Sequence, residues 1–175
     1  MPLMAGKQVL IMGVANERSL AWGIAKTLHA HGAALAFTYQ GEALGRRVRP
    51  LAQSLESNFV LEADVTSEAS LDAVFAALAK RWGRLDFVVH AIAFADPTSL
   101  KGKYLETARD NFLRTLEISC YSFTDICRPA PKFPNIRSTK MNPARMADCS
   151  LPIRLEASTN TITASPSIAP RDPVR

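Results

Sequence analysis

Blocks of apolar and mixed polarity alternate along the first 128 residues. Four short runs are apolar and rich in β-branched residues, as expected for buried strands, and they occupy residues 7–14, 34–39, 58–63 and 85–92. Each run is followed by a stretch with apolar residues at helical spacing, and these stretches occupy residues 19–32, 42–56, 67–82 and part of 104–127. Strands that alternate with helices predict an α/β fold, a doubly wound parallel sheet with helices on both faces.

Two of the predicted helices carry additional local signals. In the first, Leu20, Ile24, Ala25 and Leu28 are predicted to form the buried face, and Gly32 is a plausible C-terminal stop. In the third, Ser67 is predicted to open the helix, and its apolar face consists of Leu71, Val74, Phe75 and Leu78. Ligands of such sheets bind beyond the carboxyl ends of the strands, so the residues that follow each strand are the candidates for function.

The composition changes near residue 128. Eight of the 11 prolines lie in residues 129–175, and no glycine follows Gly102. Prolines at this density prevent regular helices and strands, so residues 129–175 are predicted to be a disordered tail after a first domain of residues 1–128. Seven basic and three acidic residues of the tail supply most of the net charge of +5, whereas residues 1–128 are nearly balanced. No aromatic-interleaved basic groove accompanies this charge, so we expect no nucleic-acid partner.

The cysteines and the hydropathy place the chain in the cytoplasm. Cys120, Cys127 and Cys149 are odd in number and form no CxxC pair, which indicates free thiols in a reducing compartment. No apolar run is as long as the roughly 20 residues of a membrane span, and the N-terminus lacks the features of a signal peptide. We therefore expect no membrane association.

The turn after the first strand has the composition of an anion-binding site. Gly13 lets the backbone approach a pyrophosphate, and the helix that begins near Ser19 offers free N–H groups and a positive dipole end. The segment is not GxGxxG, because Glu17 and Ser19 stand where short-chain dehydrogenases usually keep glycines. By spacing alone the signal is weak, and the alternative that Ser19 is only a helix N-cap stays open.

Five segments together resemble one family. They are GVANERSLAWGIA (13–25), AFTYQG (36–41), EADVTSEASLDAVF (62–75), HAIAFADPTSLKGKY (90–104) and LEISCYSFTDICR (116–128). In order and spacing they are similar to the NADH-dependent enoyl-(acyl-carrier-protein) reductases of bacterial fatty acid synthesis, a branch of the short-chain dehydrogenase/reductase superfamily. The resemblance implies a Rossmann-type sheet with four of the family's usual seven strands.

The resemblance implies a role for each residue at the front of the cofactor site. Gly13 would line the pyrophosphate turn, and Ser19 and Leu20 would meet the phosphates and the nicotinamide end. Gln40 stands where an acidic residue would normally bind the ribose hydroxyls of NAD. A neutral amide discriminates less sharply, so the preference for NADH over NADPH is implied by the family alone.

Further residues follow from the same resemblance. Asp64 and Val65 would frame the adenine, with the Asp64 carboxylate accepting from the exocyclic amine, although Asp64 could also be a turn or helix-entry residue. Ile92 would pack beside the cofactor, or it could belong only to the core. Ala95 matches a position near the acyl substrate. No metal ligand is implied.

The implied reaction reduces a trans-2-enoyl thioester on acyl carrier protein to the acyl thioester, with hydride from NADH. The family uses a tyrosine and a lysine in Tyr-x6-Lys spacing, but the residues seven positions after Tyr39, Tyr104 and Tyr121 are Arg46, Asn111 and Arg128. No catalytic residue can therefore be assigned, and whether this chain is an enzyme stays open. It is either a reductase by descent, truncated or read out of frame after about residue 128, or a non-catalytic NAD-binding fragment or misfolded remnant. The family forms homotetramers through its fourth and fifth helices, and the fifth is missing from this match.

Overall fold

A computed structural model describes residues 2–128 of the chain. The strands of this range are β1 (Gln8–Met12), β2 (Ala34–Tyr39), β3 (Val60–Glu62) and β4 (Phe87–His90). The helices are α1 (Leu20–Ala30), α2 (Gly41–Ser54), α3 (Glu68–Trp82), α4 (Arg109–Leu116) and α5 (Ser122–Cys127). The strands pair in parallel in the order β3-β2-β1-β4, which confirms the predicted α/β fold. The expectation of a disordered tail concerns residues that lie outside this description.

Strand β1 lies between β2 and β4 and separates two apolar layers. Leu10 and Met12 pack on one face, against α3 and Ile126 of α5. Val9 and Ile11 pack on the other face, against α1 and α2. All four side chains are fully buried, because successive residues of a strand point to opposite faces and both faces carry helices. The sheet is therefore doubly wound.

The predicted start of α3 at Ser67 and the predicted stop of α1 at Gly32 are both confirmed. The Ser67 hydroxyl accepts a hydrogen bond from the backbone N–H of Ser70 at the start of α3. Gly83 follows α3 with a φ of +66°, a left-handed conformation that closes helices. Gly32 follows α1 with a φ of +90°, so this glycine does end the helix as expected.

The predicted buried face of α1 is partly wrong. Leu20 is 83% exposed and Ile24 is 41% exposed, whereas Ala21 and Trp22 are buried with Ala25. The large Trp22 ring packs against Phe37 of β2, with ring centroids 6.4 Å apart. Burying this indole turns the helix so that Leu20 faces away from the core.

The strands and the last helix also differ from their predicted limits. Both β3 and β4 are shorter than predicted, but single backbone bonds continue the pairing beyond them, from Ala63 N to Tyr39 O and from Ala91 N to Met12 O. The long helix predicted within residues 104–127 begins only at α4 and contains a π-helical turn (Glu117–Tyr121) before α5. Two short 3₁₀ turns, Pro97–Leu100 and Tyr104–Glu106, precede it.

Between residues 2 and 128, no helix is long and apolar enough to cross a membrane. The same range has no cluster of three His, Cys, Asp or Glu side chains that could hold a metal ion. Cys120 and Cys127 are free and exposed thiols. Cys149, the third cysteine of that prediction, lies outside the described residues.

Candidate functional site

A cavity of about 570 Å³ lies at the carboxyl ends of the strands. Its walls come from the segments after β1, β2, β3 and β4 and from the π-helical turn. Six of the seven residues predicted to bind the cofactor line it, namely Gly13, Ser19, Leu20, Gln40, Val65 and Ile92. The seventh, Asp64, is the chain neighbour of Val65 and does not itself line the wall. Ala95 lies just beyond the lining residue Phe94, half-buried and off the wall, so its role stays a prediction.

Gly13 occupies a position that no other residue type fits. Its φ is +98°, and a Cβ added there would lie 2.1 Å from the backbone oxygen of Ala91 and 3.0 Å from the nitrogen of Ile92. The turn after β1 therefore passes directly against the backbone that follows β4. A glycine here allows the two backbone segments to pack against each other at the edge of the cavity.

The Ser19 hydroxyl organises the loop rather than the helix. It accepts hydrogen bonds from the backbone N–H groups of Ala15 and Asn16, both at 3.0 Å. Ser19 does occupy the N-cap position of α1, but its side chain makes no capping bond to the helix. These bonds fix the loop after β1. The first turn of α1 has no side-chain cap and no acidic residue. The positive end of the helix dipole therefore lies at the cavity without a negative side chain of that turn to offset it.

The Asp64 carboxylate is an ionised acceptor beside Gln40. Its Oδ1 accepts from the Thr66 hydroxyl at 2.7 Å and from the Thr66 backbone N–H at 2.9 Å. The Thr66 hydroxyl, the Thr66 N–H and the Gln40 side chain lower the pKa of Asp64 below its ordinary value, against the opposing effect of burial. Asp64 is therefore a turn residue, which was one of its two alternatives. Binding to adenine stays a prediction.

Tyr39 forms a wall of the cavity that the sequence did not indicate. Its ring packs on Gly45, where an added Cβ would lie 2.8 Å from the ring. Its hydroxyl accepts from Arg49 at 2.7 Å, and the same guanidinium makes two bonds to Glu42, at 2.9 and 3.0 Å. The bonds to Glu42 and Tyr39 raise the pKa of Arg49. This exposed network fixes the Tyr39 side chain, and only the three-dimensional contact reveals it.

The wall beyond β4 is held by the π-helical turn. Ile118 of that turn and Phe94 of the loop after β4 both line the cavity. The Ser119 hydroxyl accepts from the backbone N–H of Phe94 at 3.0 Å and donates to the Phe94 carbonyl at 3.2 Å. Ser122 contacts the last residue of β4, because its Oγ lies 2.8 Å from Nε2 of His90. The sequence did not single out Phe94, Ile118, Ser119 or Ser122.

The tyrosines are not arranged as a proton-donating site. Arg49 holds the Tyr39 hydroxyl, Arg128 donates to the Tyr121 hydroxyl at 2.7 Å, and Tyr104 is largely exposed in a 3₁₀ turn. The described part of the chain shows no tyrosine hydroxyl bonded to a lysine. Within residues 2–128, no tyrosine–lysine pair therefore adjoins the cavity walls.

Known proteins are similar to most of this chain. A family model described as "Enoyl-(Acyl carrier protein) reductase" matches residues 13–142. Enoyl-(acyl-carrier-protein) reductase (NADH) 2 of Rhizobium meliloti is 62% identical over 128 residues, which are 73% of this chain and 48% of the relative. The chain thus spans about half the length of the curated relatives it matches.

Solved structures share the fold. The enoyl-(acyl-carrier-protein) reductase of Anaplasma phagocytophilum in complex with NAD is 51% identical, with a TM-score of 0.71 over 75% of this chain and 50% of that one. The Bacillus cereus enoyl-acyl carrier protein reductase, with NADP⁺ and indole naphthyridinone, is 47% identical, with a TM-score of 0.72 over 76% of this chain and 52% of that one. The predicted Rossmann-type fold is confirmed by these likenesses.

Proposed function

Because the chain belongs to the enoyl-(acyl-carrier-protein) reductase family, we propose that its cavity binds NADH. We further propose that residues 2–128 are the nucleotide-binding part of an enzyme that reduces a trans-2-enoyl thioester on acyl carrier protein to the acyl thioester. One observation carries the first proposal. Six of seven residues assigned to the cofactor from separate sequence segments line one cavity at the centre of the sheet.

The residues present fit a dinucleotide on physical grounds. The pyrophosphate belongs against the turn at Gly13, which lines the cavity, and against the uncapped first turn of α1. The adenosine half belongs on the side of Gln40 and Asp64, because the end of the second strand meets the ribose in folds of this type. The other half then reaches the segment after β4. Bound there, the cofactor supplies the hydride for the family's reaction.

Catalysis is a separate matter from binding. None of the three tyrosines is followed by a lysine at the fourth or the seventh position, so the pair that the family uses is not present in these 175 residues. The thioester oxygen would lack its donor and the ribose its lysine. We therefore expect this chain by itself to bind NADH without reducing an enoyl thioester, which makes it a dinucleotide-binding module.

NADH titration monitored by fluorescence tests the proposal, with Leu20→Asp as the diagnostic variant. Leu20 is 83% exposed at the first position of α1 and lines the cavity. An aspartate is favourable in the first turn of a helix, yet it repels a pyrophosphate. We expect NADH affinity to fall at least about tenfold, because like charges placed together in an interface cost several kcal/mol and about 1.4 kcal/mol is a factor of ten. Leu105→Asp is the matched control, since Leu105 is 92% exposed and lies outside the cavity lining.

Turnover is measured in parallel as NADH oxidation with crotonyl-CoA. Binding without turnover is the expected result. Turnover would overturn the non-catalytic role and support a complete reductase. A folded sample that retains no NADH, or equal affinities of the two aspartate variants, would refute the cofactor site itself.

A further inference from the structure

The π-helical turn between α4 and α5 holds the cavity wall at two points. It spans Glu117–Tyr121, and Ser122 follows it as the first residue of α5. A π-helical turn widens a helix locally, is rare, and is frequently found at functional sites. Here it places Ile118 on the cavity wall, while Ser119 and Ser122 contact the segment that carries the rest of that wall.

Ser119 binds both backbone groups of Phe94, a residue of that segment. Its hydroxyl accepts from the N–H of Phe94 and donates to the carbonyl of the same residue. Phe94 lies in a loop without regular structure, so neither group has a strand partner. The half-buried hydroxyl thus satisfies both backbone groups and fixes the loop.

Ser122 holds the end of β4 through a bond of defined direction. Its hydroxyl hydrogen is donated to the carbonyl of Ile118 at 2.6 Å, so its oxygen must accept from Nε2–H of His90. Burial lowers the pKa of His90, which favours the neutral ring. The bond to Ser122 then requires the ring proton to be on Nε2. Ser122 is 1% exposed, so this bond is shielded from water. Both serines act on the same stretch, from His90 to Phe94.

That stretch is the side of the cavity opposite Gln40. We propose that Ser119 and Ser122 are positioning residues for the nicotinamide half of the cofactor, acting by fixing the backbone of residues 90–94. The inference rests on the proposed function, because it assumes that NADH crosses the cavity from Gln40 to the end of β4. The inference further states that Ser119 and Ser122 position only the nicotinamide half of the site, and that the adenosine half forms without them.

Titrations of the full chain with NADH and with AMP separate these halves. In Ser119→Ala the Phe94 N–H loses its partner, and we expect NADH affinity to fall about tenfold, with AMP affinity unchanged within about twofold. Ser119→Thr, which keeps the hydroxyl, should restore most of the NADH affinity. Ser122→Ala should give the same pattern through His90. Ser54→Ala is the control, because its hydroxyl also bonds a helix carbonyl, that of Leu51, but outside the cavity lining.

The outcomes distinguish the inference from the function it rests on. If wild-type protein binds both ligands and Ser119→Ala binds NADH equally well, the serines have no positioning role and the cofactor site stands. If the alanine variants lose NADH and AMP affinity alike, the effect is general loss of structure and the inference is overturned. If folded wild-type protein binds neither ligand, the proposed function fails and the inference fails with it.

Discussion

Replacing Gly13 by alanine should destabilise the fold far more than its size suggests. The new Cβ would lie 2.1 Å from the Ala91 oxygen, whereas an ordinary contact is at least 3.4 Å, so the backbone after β4 would have to retreat by more than 1 Å. That retreat strains the bond from Ala91 N to Met12 O that extends the pairing of β4 with β1. The positive φ costs about 1–2 kcal/mol, the overpacking about 1–3 kcal/mol, and the weakened hydrogen bond about 1 kcal/mol. We expect a total of about 4 kcal/mol.

Gly83→Ala isolates the steric part of this effect. Gly83 also has a positive φ, +66°, but an added Cβ there meets no atom within 4 Å. Its replacement should cost only the backbone term of about 1–2 kcal/mol. Urea unfolding followed by the fluorescence of Trp22 and Trp82 measures both variants, because the two tryptophans lie in opposite layers. A difference between the variants below about 1 kcal/mol would refute the close approach of the Gly13 turn to β4.

Three further changes probe the cofactor, a helix end and acid sensitivity. Gln40→Asp should weaken NADPH binding about tenfold more than NADH binding, because a carboxylate at the end of β2 binds ribose hydroxyls and repels a 2′-phosphate; equal losses in parallel titrations would contradict this. Ser67→Ala removes the acceptor at the start of α3 and should lower the free energy of unfolding by about 1 kcal/mol in urea, and an unchanged midpoint would count against the cap. Burial raises the pKa of Asp86, but bonds from the Gln8 N–H at 2.8 Å and from Lys7 at 3.0 Å outweigh burial and hold the pKa below its ordinary value. The ionised carboxylate therefore stabilises the fold above about pH 4, and this contribution is lost as the pH falls through the lowered pKa. In Asp86→Asn the free energy of unfolding, measured across pH, should fall less steeply on acidification than in the wild type.

The sequence predicted those parts of the fold that depend on local pattern. Burial of β1 follows from its apolar composition. Ser67 marks the start of α3 through a bond to Ser70, and Gly32 marks the end of α1 through its positive φ, both within a few residues. The residues predicted to bind the cofactor were assigned from the family resemblance, and most of them line one cavity because the parallel sheet brings all strand ends to one edge. Gly13 shows this best, since its turn position was readable although its contact with Ala91 was not.

The remaining features depend on contacts between distant segments. Helical periodicity assigned Leu20 to the core, but the fit of Trp22 against Phe37 decided which face of α1 is buried. The π-helical turn interrupts a helix whose composition gives no break signal, and Ser119 within it and Ser122 just after it contact residues 25 and more positions away. No spacing rule along the chain connects Ser119 to Phe94.

Strand β1 also decides how the domain responds to a ligand. Since its side chains belong to both apolar layers, neither layer can come apart while the other stays intact, and residues 2–128 should melt in one cooperative step. A dinucleotide held at the end of this strand would then raise the melting temperature of the whole unit, rather than protecting only its own loops.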